Sequence, residues 1–455
     1  MEKGNFKKKI LNNLNEKNLT ILFIFFCVFC AFGWALIAPD FWGPDESMKM
    51  DICKYIADYG KLPHGGDEKI LNPEWGISYG FTPILSYIVG GIFIKITSIF
   101  TQNMHYYYFA ARLVSVLCYA IFLIFTVKIA EKIFNKKIYK WLFIYIIGLM
   151  PQVMFIGAYI NNDSLALMCI SMIIYSWIIG IENKWTYKNC IYLAISLGLC
   201  ALSYYNAYGY ILTSAILFLI TELKNNTKFK DILKRGLLIG TIAFLICGWW
   251  FIRSAIIYDG DFLGLRITDE YSNKYAVDEL KAKNRKTPLN QGQSLIYMLI
   301  NRHWITYTLK SFYGLIGKMN IEMKFYIYYI IWFVWGIQFL GYVLKKIIYK
   351  INKKTDDIKI PKIIEIMFII NMFITLGLSL YYSYASDFQP QGRYIMPMLI
   401  PFIFMMVSGL EYLLNKFVKK EKYIKIILGI LITGYFIIFS NYMLYLLFLY
   451  MPMYL

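Results

Sequence analysis

The sequence predicts an all-α polytopic membrane protein with about eleven spanning helices. Hydrophobic residues make up 59% of the 455 residues. They are gathered in apolar runs that recur along the whole chain, and many runs reach about 20 residues, the length that a helix needs to cross the hydrocarbon core. These two observations exclude a soluble globular protein.

The first apolar run, residues 20–38, is expected to stay in the mature protein as the first spanning helix. A basic stretch at Lys7, Lys8 and Lys9 precedes the run, and no small-residue cleavage site follows it. This pattern is typical of an uncleaved signal-anchor. We therefore treat residues 1–455 as a single integral membrane domain with a cytoplasmic N-terminus.

The basic residues indicate the path of the chain through the membrane. Lys and Arg outnumber Asp and Glu by 47 to 28. In a soluble protein this surplus would suggest nucleic acid, but here the basic clusters lie beside apolar runs, as the positive-inside rule predicts. No nucleic-acid partner is expected. Cytoplasmic placement of these clusters predicts spans at 20–38, 109–131, 139–157, 164–181, 188–204, 207–222, 236–257, 325–346, 362–384, 394–415 and 424–448, with the C-terminus outside.

One further apolar run, residues 81–100, does not fit this path as a span. If it crossed, the basic cluster at 128–140 would lie outside. We expect it to be interfacial or re-entrant, within a first external loop at 39–108 that also carries juxtamembrane helices. A second large external loop covers 258–324. Both loops are near the lower size limit for an independent core, so they are expected to pack on the spans and on each other.

Asp45 and Glu46 are the candidate catalytic acids. They follow Gly43-Pro44 and begin an amphipathic stretch that ends at Gly60, which predicts a short helix on the membrane surface. Both acids then lie at the outer mouth of the first span. A carboxylate beside hydrocarbon can have a raised pKa and act as a base. The alternative is that the two acids only cap the helix.

Four cations on the predicted outer side are candidates for binding an anionic group such as phosphate. Arg266 and Lys310 lie in the second external loop, against the positive-inside trend. Arg253 follows two tryptophans at the outer end of an apolar helix, and Arg393 lies at the outer mouth of the tenth span, where a charge needs a partner or a polar cavity. The alternatives are a solvated loop for the first two and snorkelling for Arg253.

Other polar residues are expected on the same side. Asp163, in the turn Asn161-Asn162-Asp163, is a third candidate acid, although such residues ordinarily cap the helix that follows. Arg112 and His105 lie near the outer start of the second span. One of them is expected to be a structural partner of Asp45 or Glu46.

Six short elements, in order along almost the whole chain, resemble a known superfamily. They are Gly43-Pro44-Asp45-Glu46, Gly60-Lys61-Leu62-Pro63, Asn161-Asn162-Asp163, Arg253 with Tyr258-Asp259-Gly260-Asp261, Ser311-Phe312-Tyr313-Gly314 and Gln391-Gly392-Arg393-Tyr394. The set resembles the polytopic GT-C glycosyltransferases, and within them a bacterial family of predicted membrane proteins called domain of unknown function 2142. Two positions depart from the pattern: Lys49 stands where we expect histidine, and Phe262 where proline is frequent.

The resemblance implies a multi-pass glycosyltransferase in the bacterial cell membrane with an extracytoplasmic site. A polyprenyl-phosphate-sugar would be the donor, and an envelope glycan, a lipid or a protein the acceptor. By analogy, Asp45 would deprotonate the acceptor hydroxyl while the sugar inverts, and Arg253 and Arg393 would hold the donor phosphate. Supporting or acceptor-binding roles are expected for Asn162, Asp163, His64, Tyr258, Asp261, Gln391 and Tyr394.

The mechanism is expected to be free of metal, with a divalent cation as the alternative. Some relatives of this superfamily use such an ion. Here Asp45, Glu46 and Asp163 could supply carboxylate ligands for Mg or Mn.

Two other classes of function stay open. A transporter or flippase of a lipid-linked or anionic substrate would carry ionisable residues near the midplane of its spans. In this sequence such residues gather at the outer mouths instead. A non-catalytic scaffold would have no need for a convergent acid and two cations.

Overall fold

The computed structural model describes residues 16–352 and 360–450. Within this part of the chain the protein is helical, and only an isolated antiparallel bridge between Ile316 and Ile321 has β geometry. The basic stretch at Lys7 to Lys9, part of the basic cluster at 345–362 and the C-terminus lie outside the described residues.

Seventeen α-helices form the described structure. They are α1 (Glu16–Ile37), α2 (Glu46–Tyr59), α3 (Leu85–Thr97), α4 (Met104–Ile133), α5 (Lys137–Gly148), α6 (Pro151–Ile156), α7 (Asp163–Glu182), α8 (Tyr187–Ala201), α9 (Gly209–Lys224), α10 (Phe229–Ile257), α11 (Leu265–Tyr275), α12 (Leu295–Ile300), α13 (Trp304–Tyr313), α14 (Phe325–Ile351), α15 (Lys362–Tyr381), α16 (Leu399–Phe417) and α17 (Glu421–Tyr450). A π-helical turn, Tyr382–Ser386, extends α15, and a 3₁₀ segment, Gly392–Met398, precedes α16.

Nine helical stretches of the described chain are long and apolar enough to cross a membrane. They are Glu16–Ile37, Met104–Ile133, Asp163–Glu182, Tyr205–Lys224, Phe229–Ile257, Phe325–Ile351, Lys362–Ser386, Gly392–Phe417 and Glu421–Leu449. Each coincides with a predicted span, so the predicted fold class, an all-α polytopic membrane protein, is confirmed. Exposed apolar side chains such as Phe25, Phe333 and Leu245 cover the outer surfaces of these helices, as contact with lipid requires.

The other two predicted spans are helical but shorter than predicted. Residues 139–157 form α5 and α6, separated at Leu149 and Met150 because Pro151 cannot continue a helix and instead starts one. Residues 188–204 form α8, which has 15 residues and ends at Ala201. None of the three helices α5, α6 and α8 alone has the length of about 20 residues that a span perpendicular to the membrane needs.

The run at 81–100 contains α3, a helix of 13 residues. Its length is about 20 Å at 1.5 Å per residue, less than the hydrocarbon core of about 30 Å. Helix α3 packs against α2 and α4. Its interfacial or re-entrant location relative to a membrane stays a prediction.

Helix α2 has the bounds and the amphipathic character that the sequence indicates. Gly60 ends it in the left-handed conformation and donates its N–H to the Ile56 carbonyl. Ile52 and Cys53 are fully buried in a small apolar core that also includes Tyr87 of α3. This core fixes α2, and with it the residues that begin the helix, against the bundle.

The two long connecting segments, 38–103 and 258–324, are hydrogen-bonded to each other. The Gly65 N–H donates to the Tyr258 hydroxyl at 3.0 Å. The Val277 N–H donates to the Glu74 carbonyl, also at 3.0 Å. These contacts agree with the expected packing of the two segments and place them at the same end of the bundle.

Helices α14 and α16 approach each other closely at Gly409. A Cβ atom on Gly409 would lie 1.9 Å from the Gln338 carbonyl oxygen, so only glycine fits unless the helices separate. Gly409→Val is expected to destabilise the protein by about 1–3 kcal/mol, the usual cost of overpacking. Thermal unfolding of the purified protein in detergent measures the effect.

Gly429→Val is the matched control, because a Cβ at Gly429, in the middle of α17, meets nothing within 4 Å. It should leave the melting temperature close to that of the native protein. Equal melting temperatures for the two variants would contradict the close approach of α14 and α16.

Candidate functional site

Asp45 lies where the first long segment turns into α2, and its side chain faces away from the helix. Its backbone is left-handed, with φ of 53° and ψ of 26°, a conformation that costs a non-glycine residue about 1–3 kcal/mol. The carboxylate makes no capping hydrogen bond. Instead, Oδ2 accepts from the Tyr79 hydroxyl at 2.8 Å and from Nη2 of Arg393 at 3.3 Å. The Asp45 side chain is still 40% exposed, so it is available to a substrate.

Arg393 is carried by the 3₁₀ segment before α16. The preceding residue, Gly392, lies against the backbone of Phe312, and a Cβ there would be 2.0 Å from the Phe312 nitrogen. This contact brings the elements at 311–314 and 391–394 together in the structure. The Arg393 side chain is only 6% exposed. Its Nη2 donates to the Tyr394 hydroxyl at 2.9 Å, and within the described structure its buried Nε–H has no acceptor.

Lys49 is a second buried cation at the same place. It lies one turn after Asp45 on α2 and is 2% exposed. Its Nζ donates to the Pro44 carbonyl at 2.6 Å. The ammonium group also lies 5.1 Å from the ring centroid of Tyr79 and 5.3 Å from that of Tyr159, so two aromatic faces replace part of its hydration.

Asp163 brings a second acid to this group from the start of α7. The Asn161 side chain shapes the turn: its amide donates to the Tyr159 carbonyl and its oxygen accepts from the Ser164 N–H. Asp163 is 9% exposed and lies within electrostatic range of Lys49 and Arg393. We name Asp45, Lys49, Asp163 and Arg393, with Tyr79 and Tyr159, the acid–cation cluster.

The protonation states in this cluster follow from its opposed charges. Burial alone would raise the pKa of Asp45, but Lys49 and Arg393, with the hydrogen bond from Tyr79, outweigh burial and hold the pKa below its ordinary value. The raised pKa expected for Asp45 is therefore wrong, because two cations face it. Burial lowers the pKa of Lys49 to about 8, with a further contribution from Arg393 that Asp45 and Asp163 oppose.

Glu46 does not face this cluster. Its carboxylate forms a fully buried ion pair with Arg112, in which both O···N distances are 2.9 Å. It also accepts the N–H groups of Gly43 and Ile160. With its oxygens occupied in this way, Glu46 is not placed to act as a base. Arg112 is thus the structural partner that the sequence analysis expected, whereas His105 pairs with Asp40.

Arg253 lies in a different group of residues. It donates to the Pro63 carbonyl at 2.8 Å and lies over the ring of Trp250. His64 and Tyr258 contact each other nearby, with ring centroids 5.1 Å apart. No hydrogen bond or ion pair between described residues joins Arg253 to Asp45 or Arg393. The two arginines that the resemblance assigned to one phosphate are therefore found in separate contact groups.

The remaining predicted cations lie in surface ion pairs. Arg266 pairs with Glu270, both about half exposed, and Lys310 pairs with Glu322. Asp261 accepts the N–H groups of Gly264 and Ile267, which stabilises the start of α11. These contacts occupy all three side chains, and none of the three residues belongs to the acid–cation cluster.

Three predicted supporting residues lie beside the acid–cation cluster. Tyr394 accepts from Arg393, hydrogen-bonds Gln389, and its ring packs near Tyr382, with centroids 6.2 Å apart. Gln391 begins the segment that carries Arg393. The Asn162 amide donates to the Pro83 carbonyl, and its buried oxygen has no partner among the described residues.

The three acids suggested as metal ligands do not fit a divalent cation. Glu46 is occupied by Arg112, and Lys49 and Arg393 supply the positive charge beside Asp45 and Asp163. In the described ranges, no group of three or more His, Cys, Asp and Glu side chains could hold a metal ion.

Tyr79 and Tyr159 are not among the residues that the sequence predicts for the site, and Lys49 is notable in the sequence only as a departure from the family pattern. The spacing of four residues between Asp45 and Lys49 on a predicted helix would have placed both on one face. No comparable signal exists for the two tyrosines, because they reach the cluster from distant parts of the chain.

Residues 75–402 match the family described as predicted membrane protein DUF2142. This chain belongs to that family. No curated protein sequence matches this chain.

Two solved structures share the fold of this DUF2142 protein. One is ArnT from Cupriavidus metallidurans bound to undecaprenyl phosphate, with a TM-score of 0.51 and 13% identity over 87% of this chain and 61% of that one. The other is the oligosaccharyltransferase from Archaeoglobus fulgidus in the apo form, with a TM-score of 0.51 and 11% identity over 88% of this chain and 51% of that one. The DUF2142 protein therefore spans about half to three fifths of their lengths. The predicted resemblance to the GT-C superfamily is confirmed for the fold.

The buried pair between Glu46 and Arg112 should be essential for stability. Arg112→Met would leave the Glu46 carboxylate buried without its cation, which is expected to cost about 3–5 kcal/mol. Chemical or thermal unfolding of the purified variant measures the loss.

Lys54→Met provides the comparison, because the exposed pair of Lys54 with Asp58 is worth at most about 1 kcal/mol. Similar stability losses for the two variants would show that the Glu46–Arg112 pair does not stabilise this part of the fold.

Proposed function

We propose that this DUF2142 protein is a membrane glycosyltransferase that moves a sugar from a polyprenyl-phosphate-linked donor to an acceptor on the extracytoplasmic face. The observation that carries the proposal is the acid–cation cluster: an ionised, partly exposed Asp45 beside the buried cations Arg393 and Lys49. The shared fold supports the proposal, and the ArnT structure contains a polyprenyl phosphate.

Asp45 is suited to the role of general base. The carboxylate is ionised at neutral pH and partly exposed, so it can accept a proton. The cations that hold its pKa below the ordinary value leave it a weaker base than a carboxylate of raised pKa. In the proposed reaction it removes the proton from the acceptor hydroxyl as the oxygen attacks the anomeric carbon. Attack from the face opposite the phosphate inverts that carbon.

Arg393 is suited to hold the donor phosphate. Its buried Nε–H lacks an acceptor within the described structure, and an N–H in that state favours an incoming oxygen. As the bond between sugar and phosphate breaks, negative charge grows on the leaving phosphate. A fixed guanidinium, supported by the Lys49 ammonium, stabilises that charge in the transition state.

Asp45→Asn tests the function and the base together. The assay measures incorporation of sugar from a mixed pool of polyprenyl-phosphate sugars into membrane acceptors by the purified protein. The native protein should transfer sugar, and the variant should lose about 10²–10⁴-fold, the usual contribution of a positioned general base. Asp51→Asn, an exposed acid on the same helix, is the matched control and should retain transfer.

A binding assay with the donor lipid distinguishes the role of the base, Asp45, from that of the phosphate-binding residue, Arg393. Asp45→Asn should still bind a labelled polyprenyl phosphate, whereas Arg393→Ala should bind it about 10–100-fold more weakly through loss of charged hydrogen bonds.

If the Asp45→Asn variant still transferred sugar at the native rate, the role of base would be assigned to Asp163 instead. Absence of transfer with every donor, in membranes that contain folded protein, would favour the transporter or flippase instead.

Lys49 should determine the pH range of activity. In the native protein, kcat/KM should fall on the acid side as Asp45 takes a proton and on the alkaline side as Lys49 loses its proton near pH 8. In Lys49→Met, the pKa of Asp45 rises because one of its two cations is gone, so the acid limb moves to higher pH. The alkaline limb near pH 8 should disappear.

Lys49→Arg is the control for charge, because arginine stays protonated throughout this range. It should keep the native acid limb and lack the alkaline limb. If both variants kept the native pH dependence of kcat/KM, Lys49 would not influence the pKa of Asp45.

A further inference from the structure

A cavity lined by charged and aromatic side chains lies close to the acid–cation cluster. Its volume is about 250 Å³. The side chains that matter for its chemistry are two aromatic residues, two acids and two cations: Trp75, Phe388, Glu279, Asp387, Arg285 and Lys286.

Three separate parts of the chain meet to form this cavity. The first long segment contributes Trp75, which is held in a turn by the hydrogen bond from its N–H to the Asn72 side chain. The second long segment joins that turn through the Val277–Glu74 backbone hydrogen bond. The connection between α15 and Arg393 supplies the third wall.

The side chains of the cavity match the chemistry of a sugar ring. A sugar presents an apolar C–H face, which packs on aromatic rings such as Trp75 and Phe388. Its hydroxyl groups both donate and accept hydrogen bonds, so they need carboxylates as well as cationic donors, and Glu279, Asp387 and Lys286 supply both kinds. Arg285 lies over one face of Trp75, 5.6 Å from the ring centroid, and Arg302 lies over one face of Phe388, at 5.1 Å. A sugar can therefore pack only on the other faces of these two rings.

Other ligand classes fit less well. A free phosphate would meet the two carboxylates, and a lipid chain would lie against four charged side chains with which it cannot hydrogen-bond. The cavity is also smaller than the range of about 300–1,000 Å³ that holds drug-sized ligands, which limits it to a single ring.

A chain of hydrogen bonds connects this cavity to the proposed base. The Gln389 amide donates to the Asp387 carboxylate at 2.5 Å, and the Tyr394 hydroxyl donates to the Gln389 oxygen. Arg393 donates to both Tyr394 and Asp45. Burial raises the pKa of Asp387, and Asp45 is near enough to add to that rise.

We propose that the cavity between Trp75, Glu279, Lys286 and Asp387 binds one ring of a saccharide acceptor and presents its hydroxyl group towards Asp45. This assignment rests on the proposed transfer reaction, because it names the acceptor of that reaction. It makes Trp75 and Glu279 determinants of acceptor specificity, separate from the donor site at Arg393.

The test is binding of simple sugars in the absence of any donor. Methyl glycosides of glucose, galactose, mannose and N-acetylglucosamine are titrated into the purified full-length protein in nanodiscs, with saturation-transfer NMR as the readout. At least one glycoside should bind. Trp75→Leu and Asp387→Asn should each weaken the binding of that glycoside by about tenfold or more. Trp249→Leu, an exposed tryptophan on α10, is the matched control and should bind normally.

The outcomes distinguish this assignment from the proposed function. Asp45→Asn should abolish transfer and keep glycoside binding. The cavity assignment alone would be overturned if the native protein transferred sugar but bound none of the glycosides. It would also be overturned if the protein transferred sugar and the Trp75→Leu variant bound the glycosides as tightly as the native protein does. Binding of short peptides in place of glycosides would also overturn it, in favour of a protein acceptor. A melting temperature unchanged by Trp75→Leu confirms that lost binding is not lost folding.

Discussion

The ion pair between Glu46 and Arg112 determines where the functional residues lie. Arg112 donates to Glu46 and also to the carbonyl groups of Ala38 and Pro39 at the end of α1, while Glu46 accepts the N–H of Ile160 before α7. Four parts of the chain therefore meet around one buried pair. Since a buried charge without its partner is costly, none of these parts can move separately. Asp45 is the residue immediately before Glu46, and its left-handed backbone directs its side chain away from this pair and towards Arg393.

The acid–cation cluster balances two acids against two cations, and the proposed reaction preserves that balance. A donor phosphodiester carries one negative charge, and the phosphate that leaves carries up to two. Over the same step Asp45 becomes neutral as it takes the acceptor proton. The total charge next to Lys49 and Arg393 therefore stays constant, so no additional cation is required for electrostatic compensation.

The sequence predicts depth in the membrane better than position around the bundle. Apolar runs and basic clusters locate the helices, and the presence of Asp45, Asp163 and Arg393 beside apolar runs identifies them as unusual, because a charge there needs a partner. The resemblance to the GT-C glycosyltransferases implies that Arg253 and Arg393 hold one phosphate, although the structure finds them in different contact groups. Residues at equal depth can lie on different sides of a bundle, and only long-range packing decides which of them meet.

Breaks within the helices also limited the prediction of the spans. Pro151 divides one predicted span into α5 and α6, and the short α8 replaces another. Hydropathy averaged over a window does not register such breaks. The tyrosines of the cluster were missed for a related reason: Tyr79 and Tyr159 are ordinary apolar-compatible residues until the fold brings them to Lys49 and Asp45.

The connection between the π-helical turn of α15 and Arg393 has an evolutionary consequence. It carries Asp387 and Phe388 at the cavity, Gln389 in the hydrogen-bond chain and Arg393 beside Asp45, the proposed base. Changes within this connection would alter several of these groups at once and are expected to be rare among relatives. The walls that contain Trp75 and Glu279 are not constrained in this way. Relatives that act on different acceptors are therefore expected to diverge first in those two walls, while the sequence from 387 to 394 changes slowly.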